Sequence, residues 1–135
     1  MKTNNSIIIS ERDYNDLVNM LESLSTSDFR KASFLEEEML RAEIVESGNM
    51  PPEVVAMNSN VRFVDMESGE VLGVQVTYPW DSNIDEGKVS VLAPLGSALL
   101  GLGVGQEIAW PLPNGRTKNL RVVRVEKETE SAVAM

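Results

Sequence analysis

Gly48-Asn49-Met50-Pro51-Pro52 divides the chain into two patterns. Before it, apolar residues recur at helical spacing; after it, they mostly alternate, as in strands. Two consecutive prolines block a helix, and Gly48-Asn49 supplies a stop. Toward the N-terminus, a helix is expected over 31–47, with Leu35, Met39, Ala42 and Val45 on one face and Glu36, Glu37, Glu38 and Glu43 on the others. An earlier helix is expected after Ser10, which can cap the first turn while Asp13 reaches back to complete a capping box. Tyr14, Leu17, Val18, Leu21 and Leu24 form its stripe, and the polar run 23–28 ends it. Two helices of about 14–17 residues joined by a short polar link favour an antiparallel hairpin roughly 20–25 Å long. Their modest stripes fit a projecting arm as well as a pair lying flat on the rest of the chain.

Toward the C-terminus, Val61 to Met66 reads as a strand, 67–70 as a turn and Val71 to Tyr78 as the return strand, with Leu72, Val74, Val76 and Tyr78 on one face. An acidic loop over 79–87 leads to a third strand at 88–92. Pro94 opens a short helix that ends at Gly101, and Gln106 to Leu112 is the fourth strand. Pro113-Asn114-Gly115 is a hairpin turn, because Asn-Gly tolerates positive φ. In the last strand, 117–126, Leu120 and Val122 share one face and Val123 and Val125 the other. The fold class is therefore α+β, divided into a helical hairpin at 1–50 and a β domain at 51–135.

Composition restricts the chemistry. The 135 residues contain no cysteine and no histidine, and the formal charge is −9. This excludes disulfides, thiol nucleophiles, imidazole bases and thiolate or imidazole metal sites. So acidic a chain has no phosphate-tracking footprint, and direct sequence-specific binding of nucleic acid is not expected. Ile7-Ile8-Ile9 is too short for the apolar region of a signal peptide, and the stretch 89–104 is too interrupted to span a membrane. A cytoplasmic location and no membrane association are the expectation.

Three local features invite chemical readings. Gly101-Leu102-Gly103-Val104-Gly105 lacks the third glycine of a dinucleotide loop, because Gln106 stands there, and a strand follows instead of a helix. A tight connection is the expected role. Glu36, Glu37 and Glu38 are consecutive on a helix and point about 100° apart, so they do not converge on a metal. Asp81, Asp85 and Glu86 lack the spacing of a calcium loop. Trp80, in that loop, is either a core plug or a contact anchor, with packing the preferred role; Trp110, mid-strand, is expected in the core or half-buried.

Val89-Ser90-Val91-Leu92-Ala93-Pro94-Leu95-Gly96-Ser97-Ala98-Leu99-Leu100-Gly101 resembles the Ser-x3-Pro-(Ile/Leu)-x3-(Leu/Ile)-(Leu/Ile)-Gly segment of the bacterial transcript-cleavage factors, the Gre family. Pro113-Asn114-Gly115 and Val122-Val123-Arg124-Val125-Glu126 are similar to their closing hairpin. A short-armed branch of that family, the regulators of nucleoside diphosphate kinase, is resembled over nearly the whole chain. The residues that carry this likeness are Pro52 to Phe63, Pro94 to Leu102, and Val104-Gly105.

The resemblance implies a short coiled-coil arm followed by an antiparallel β domain like that of the FK506-binding proteins, with one short helix at 95–100. It implies binding to RNA polymerase through the β domain, with the arm pointing into the secondary channel and competition with Gre-type factors. The contact is then expected at Ser90, Pro94, Leu95, Ser97 and Ala98, with the arm tip, Ser27, Asp28 and Arg30, adding a second. Leu99 and Leu100 are expected in the core. Ser97 is expected to be exposed, so that Ser97→Glu weakens binding at unchanged melting temperature. Regulation of the kinase would be a physiological consequence rather than a binding activity.

In the cleavage factors, acidic arm tips help hold a catalytic magnesium. Here Asp28 is the one acid at the tip and is followed by Arg30 and Lys31, a poor magnesium ligand set. The β domain also has few aromatics, Phe63, Tyr78, Trp80 and Trp110, for a prolyl isomerase pocket. A non-enzymatic regulator with no cofactor and no metal is therefore expected. The alternatives are a cleavage factor or isomerase, and an interaction module for another client such as the kinase.

Overall fold

The computed structural model describes residues 7–25, 32–111 and 114–127. The expected arm-tip residues Ser27, Asp28 and Arg30, the turn residue Pro113 and the side chain of Trp110 lie outside this description. The architecture is α+β. The elements are β1 (Ile8–Ser10), α1 (Glu11–Glu22), α2 (Ser33–Arg41), β2 (Glu43–Val45), β3 (Asn60–Asp65), β4 (Val71–Thr77), β5 (Lys88–Ser90), α3 (Pro94–Leu99), β6 (Glu107–Pro111) and β7 (Thr117–Glu126).

The start of α1 follows from its cap. Ser10 is extended and its hydroxyl accepts from the Asp13 N–H at 3.1 Å, satisfying one orphan donor of the first turn. The second half of the expected capping box is absent, because the Asp13 carboxylate accepts from the N–H of Met57 instead. The second helix ends at Arg41, short of the expected 47. Ala42 is already extended, and Glu43-Ile44-Val45 pairs in parallel with Ile8-Ile9-Ser10. Adjacent β-branched residues are poor helix formers, and the pairing gives their backbone an alternative ladder. Ser47–Asn49 is a 3₁₀ turn rather than a helix end. At 1.5 Å per residue, the 12 residues of α1 and the 9 of α2 span only about 18 and 14 Å.

The five-stranded sheet has the order β5-β4-β3-β7-β6. Its hairpin partners β3/β4 and β6/β7, and the central pair β3/β7, are antiparallel. The short β5 runs parallel to β4, so the sheet is mixed and not antiparallel throughout. A parallel neighbour requires the chain to run back along the strand. That return is residues 78–87, the loop that carries Trp80. Opposite Arg62-Phe63 the register shifts and Val123 becomes the extra residue of a β-bulge.

Leu120 and Val122 are buried and Val123 is exposed, as the alternation expects, but the bulge reverses the phase after it: Val125 pairs with buried Val61 and packs on the core instead of sharing a face with Val123. Val61, Phe63, Val76, Ile108, Leu120 and Val122 from the sheet pack with Leu99, Leu100 and Leu102. The same cluster takes in Ile7, Ile9, Leu17, Met20, Leu35 and Met39. The described parts of both helices thus lie against the rest of the chain. Glu38, expected on an outer face, is buried beside Arg41 at 3.2 Å.

The glycine string is the corner that ties this together. Gly101 has φ +84° and its absent Cβ would meet Ile7 Cγ2 at 2.1 Å. The Gly101 carbonyl accepts from Ile8 N–H, its N–H donates to Val55, and Val55 N–H donates to Leu102. One tight turn therefore joins β1, the segment after the two prolines and the exit of α3, the structural role expected for it.

Candidate functional site

The segment after β5 turns sharply. The Ser90 hydroxyl accepts from Leu92 N–H at 3.0 Å, and Ala93 presents Pro94 as the first residue of α3. Proline suits that position, since its fixed φ is helical and it lacks a donor that would have no partner. The helix then lies directly on the strand it left. A Cβ on Gly96 would stand 2.1 Å from the Ser90 carbonyl oxygen and 3.1 Å from Val91 Cα. Ser97, 1% exposed, donates its hydroxyl back to the Pro94 and Ala93 carbonyls.

This close seating places Pro94 outward at the rim of an apolar groove of about 430 Å³. Leu24, just beyond α1, and Phe34 from α2 line it together with Pro79, Ser90, Leu92, Ala93 and Pro94. Of the expected contact residues, Ser90 and Pro94 lie here. Leu95 is half-buried and packs on the core. Ser97 and Ala98 are buried, so the expectation that Ser97 is exposed is overturned. Leu99 and Leu100 are in the core, as expected.

The sequence reading missed Phe34, Pro79 and Leu92 as groove residues. Leu24 belongs to an apolar stripe, but its position at a groove depends on packing between distant segments. Trp80 stands next to Pro79 and is 67% exposed, which overturns its expected packing role. Its indole stacks on Tyr78 with centroids 5.1 Å apart and planes 3° from parallel.

A second, larger cleft of about 580 Å³ lies between the first turn of α1 and the segment after the prolines. It is polar, and its central groups serve the joint itself. Asp13 accepts from the buried N–H of Met57 at 3.0 Å, and Lys127 donates to the Val54 carbonyl. Burial raises the Asp13 pKa against the opposing effect of the Met57 N–H, and burial lowers that of Lys127. The Tyr78 hydroxyl is pushed up by burial and by Asp13 and Asp16.

Asp13→Ala should destabilise by about 1–3 kcal/mol in urea unfolding, because the Met57 N–H loses its acceptor. Asp13→Asn keeps an acceptor and removes the half-buried charge. In the wild type the folded state holds the Asp13 proton more readily than the unfolded state. Its contribution is therefore full below the ordinary value of 3.8 and is lost as pH rises through the elevated pKa. The Asn variant should lack that decline, measured as unfolding free energy against pH. Among the described residues, no three carboxylates converge as a metal-ligand set. No described helix is long and apolar enough to cross a membrane.

The mixed sheet, the helix seated on β5 and the groove beside it fit one class of protein. Residues 50–127 match the family model described as the C-terminal part of the transcription elongation factors GreA and GreB. Residues 5–45 match the model of the Rnk N-terminus. The chain belongs to this Gre-type family of transcription-elongation-factor-like regulators.

Among its relatives, the regulator of nucleoside diphosphate kinase of Escherichia coli K12 is 37% identical over 94% of this chain and 93% of its own length. GreA of Staphylococcus aureus is 31% identical over 67% of this chain, which spans 57% of that factor. The solved structure of a prokaryotic transcription elongation factor GreA/GreB from Nitrosomonas europaea superposes with a TM-score of 0.73 at 43% identity, covering 91% of this chain and 99% of that one.

Proposed function

We propose that this chain is a non-catalytic regulator that binds RNA polymerase through residues 51–135, a domain of the FK506-binding-protein type. In this reading residues 1–50 form a short arm, its helices packed on the rest of the chain, whose tip points into the secondary channel, and the protein competes there with Gre-type factors in the cytoplasm. The observation that carries the proposal is the apolar groove, where Ser90 and Pro94 of the family-like segment meet Leu24, Phe34, Pro79 and Leu92. Exposed apolar surface is a feature of protein-contacting sites, and five of the seven groove residues lie on the part of the chain that matches the elongation-factor model.

Two features favour occupancy without cleavage. A carboxylate coordinates a metal only within about 2–2.5 Å, so being one helical turn short removes the contact. The described helices span about 18 and 14 Å at 1.5 Å per residue, and the tip sequence offers one acid, Asp28, before two cations. Ser27, Asp28 and Arg30 are assigned a secondary contact there.

The test is RNA shortening in a stalled polymerase complex. The protein alone should give no shortening, and in excess it should suppress shortening driven by a Gre-type factor. Shortening by the protein alone would favour the cleavage-factor reading. Failure to suppress would remove channel occupancy.

A further inference from the structure

We propose that Trp80 is a preorganised aromatic anchor that extends the groove contact and seats in an apolar pocket with a basic rim on the polymerase. The proposal rests on the polymerase-binding reading and adds to it a residue, and a kind of partner surface, that nothing in the family likeness supplies.

Trp80 is 67% exposed in a chain with only two tryptophans. Its position is fixed rather than floppy. The backbone turns through a 3₁₀ segment, Pro79–Asp81, closed by Asp81 N–H to the Tyr78 carbonyl at 3.0 Å and by Ser82 N–H and hydroxyl to the Pro79 carbonyl. The indole then lies flat on the half-buried Tyr78 ring, 5.1 Å away and 3° from parallel. A side chain held in one arrangement before binding loses little freedom when it docks, and a large aromatic in such a state is the usual form of a dominant contact. Pro79 lines the groove, so anchor and groove are continuous along the chain.

The surroundings select the partner. Asp81, Asp85 and Glu86 are exposed around the same loop, and among the described residues only Glu86 of the three has a cation, Lys88, at 3.2 Å. A nucleobase could stack on the open indole face, but its phosphates would meet these carboxylates and a chain of net charge −9. A protein pocket, apolar inside and lined at its edge by Lys or Arg, meets both the indole and the acids.

The experiment is titration of core RNA polymerase with the full chain as wild type, Trp80→Ala, Trp80→Phe and Pro94→Glu, with melting temperature and sedimentation recorded for each. Trp80→Ala should bind at least about tenfold more weakly at unchanged melting temperature, and Trp80→Phe should recover part of the loss. Asp81→Asn with Asp85→Asn should flatten the salt dependence of wild-type binding. If Trp80→Ala binds as wild type while Pro94→Glu is weakened, the anchor is overturned and the groove contact stands. If the wild type does not bind polymerase, both fall. If Trp80→Ala instead abolishes self-association seen by sedimentation, the occupant is a second copy and the proposal is overturned.

Discussion

Ser97→Glu should destabilise the protein by about 3–5 kcal/mol, the range associated with an uncompensated buried charge. Ser97 is 1% exposed, and its hydroxyl is committed to the Ala93 and Pro94 carbonyls. A carboxylate at that position would face the same two carbonyl oxygens, which can only accept, and would have to be larger than the space it enters. Ser97→Ala removes only the hydroxyl and should cost about 1 kcal/mol. Urea unfolding of the two variants measures the difference. A Glu variant as stable as wild type would mean that α3 turns this face to solvent.

Gly96→Ala should lower stability by about 1–3 kcal/mol or more, although alanine is the better helix former by about 1 kcal/mol. The sign is decided by space. The new methyl would stand 2.1 Å from the Ser90 carbonyl oxygen and 2.9 Å from its carbon, both backbone atoms. Neither can swing aside as a side-chain end could, so α3 must lift from β5. The lift would carry Pro94 out of the groove rim, and loss of polymerase binding should accompany the fall in stability. Thermal unfolding and a binding titration on the same preparation test both parts. Stabilisation by the alanine would show that helix and strand are less closely seated.

What could be read in advance was local. The Ser10 cap, the outline of α1, the short helix opened by Pro94 and the burial of Leu120 and Val122 in β7 all depend on residues a few positions apart. The errors arise where distant segments decide. Ile44 and Val45 sit in a run that reads as helix, and only pairing with Ile8-Ile9-Ser10, more than thirty residues earlier, makes them a strand. Asp13 looks like the second half of a capping box, yet its partner is Met57 N–H, 44 positions away. The parallel placement of β5 depends on how the 78–87 loop returns, which no alternation pattern encodes.

The candidate site divides in the same way. The motif around Pro94 located one wall of the groove, but not which faces of its helix are buried. Period and propensity mark Ser97 as a small polar residue on a short helix. Only its 1% exposure in the fold shows that this position is closed to solvent. Leu24 and Phe34 belong to other elements and join the groove only through packing. Trp80 is exposed because it caps Tyr78 from outside, a contact between neighbours two apart that sequence leaves open.

The most direct measurement is photo-crosslinking of the full protein to core RNA polymerase, with the reactive group placed at Pro94 and, as control, at Val71, which is 53% exposed, outside the groove and at the end of β4 away from Pro79. Binding through the groove predicts crosslinks from position 94, lost when an unlabelled Gre-type factor is added in excess, and none from position 71. Crosslinks from position 71 alone, or from neither position, would contradict it.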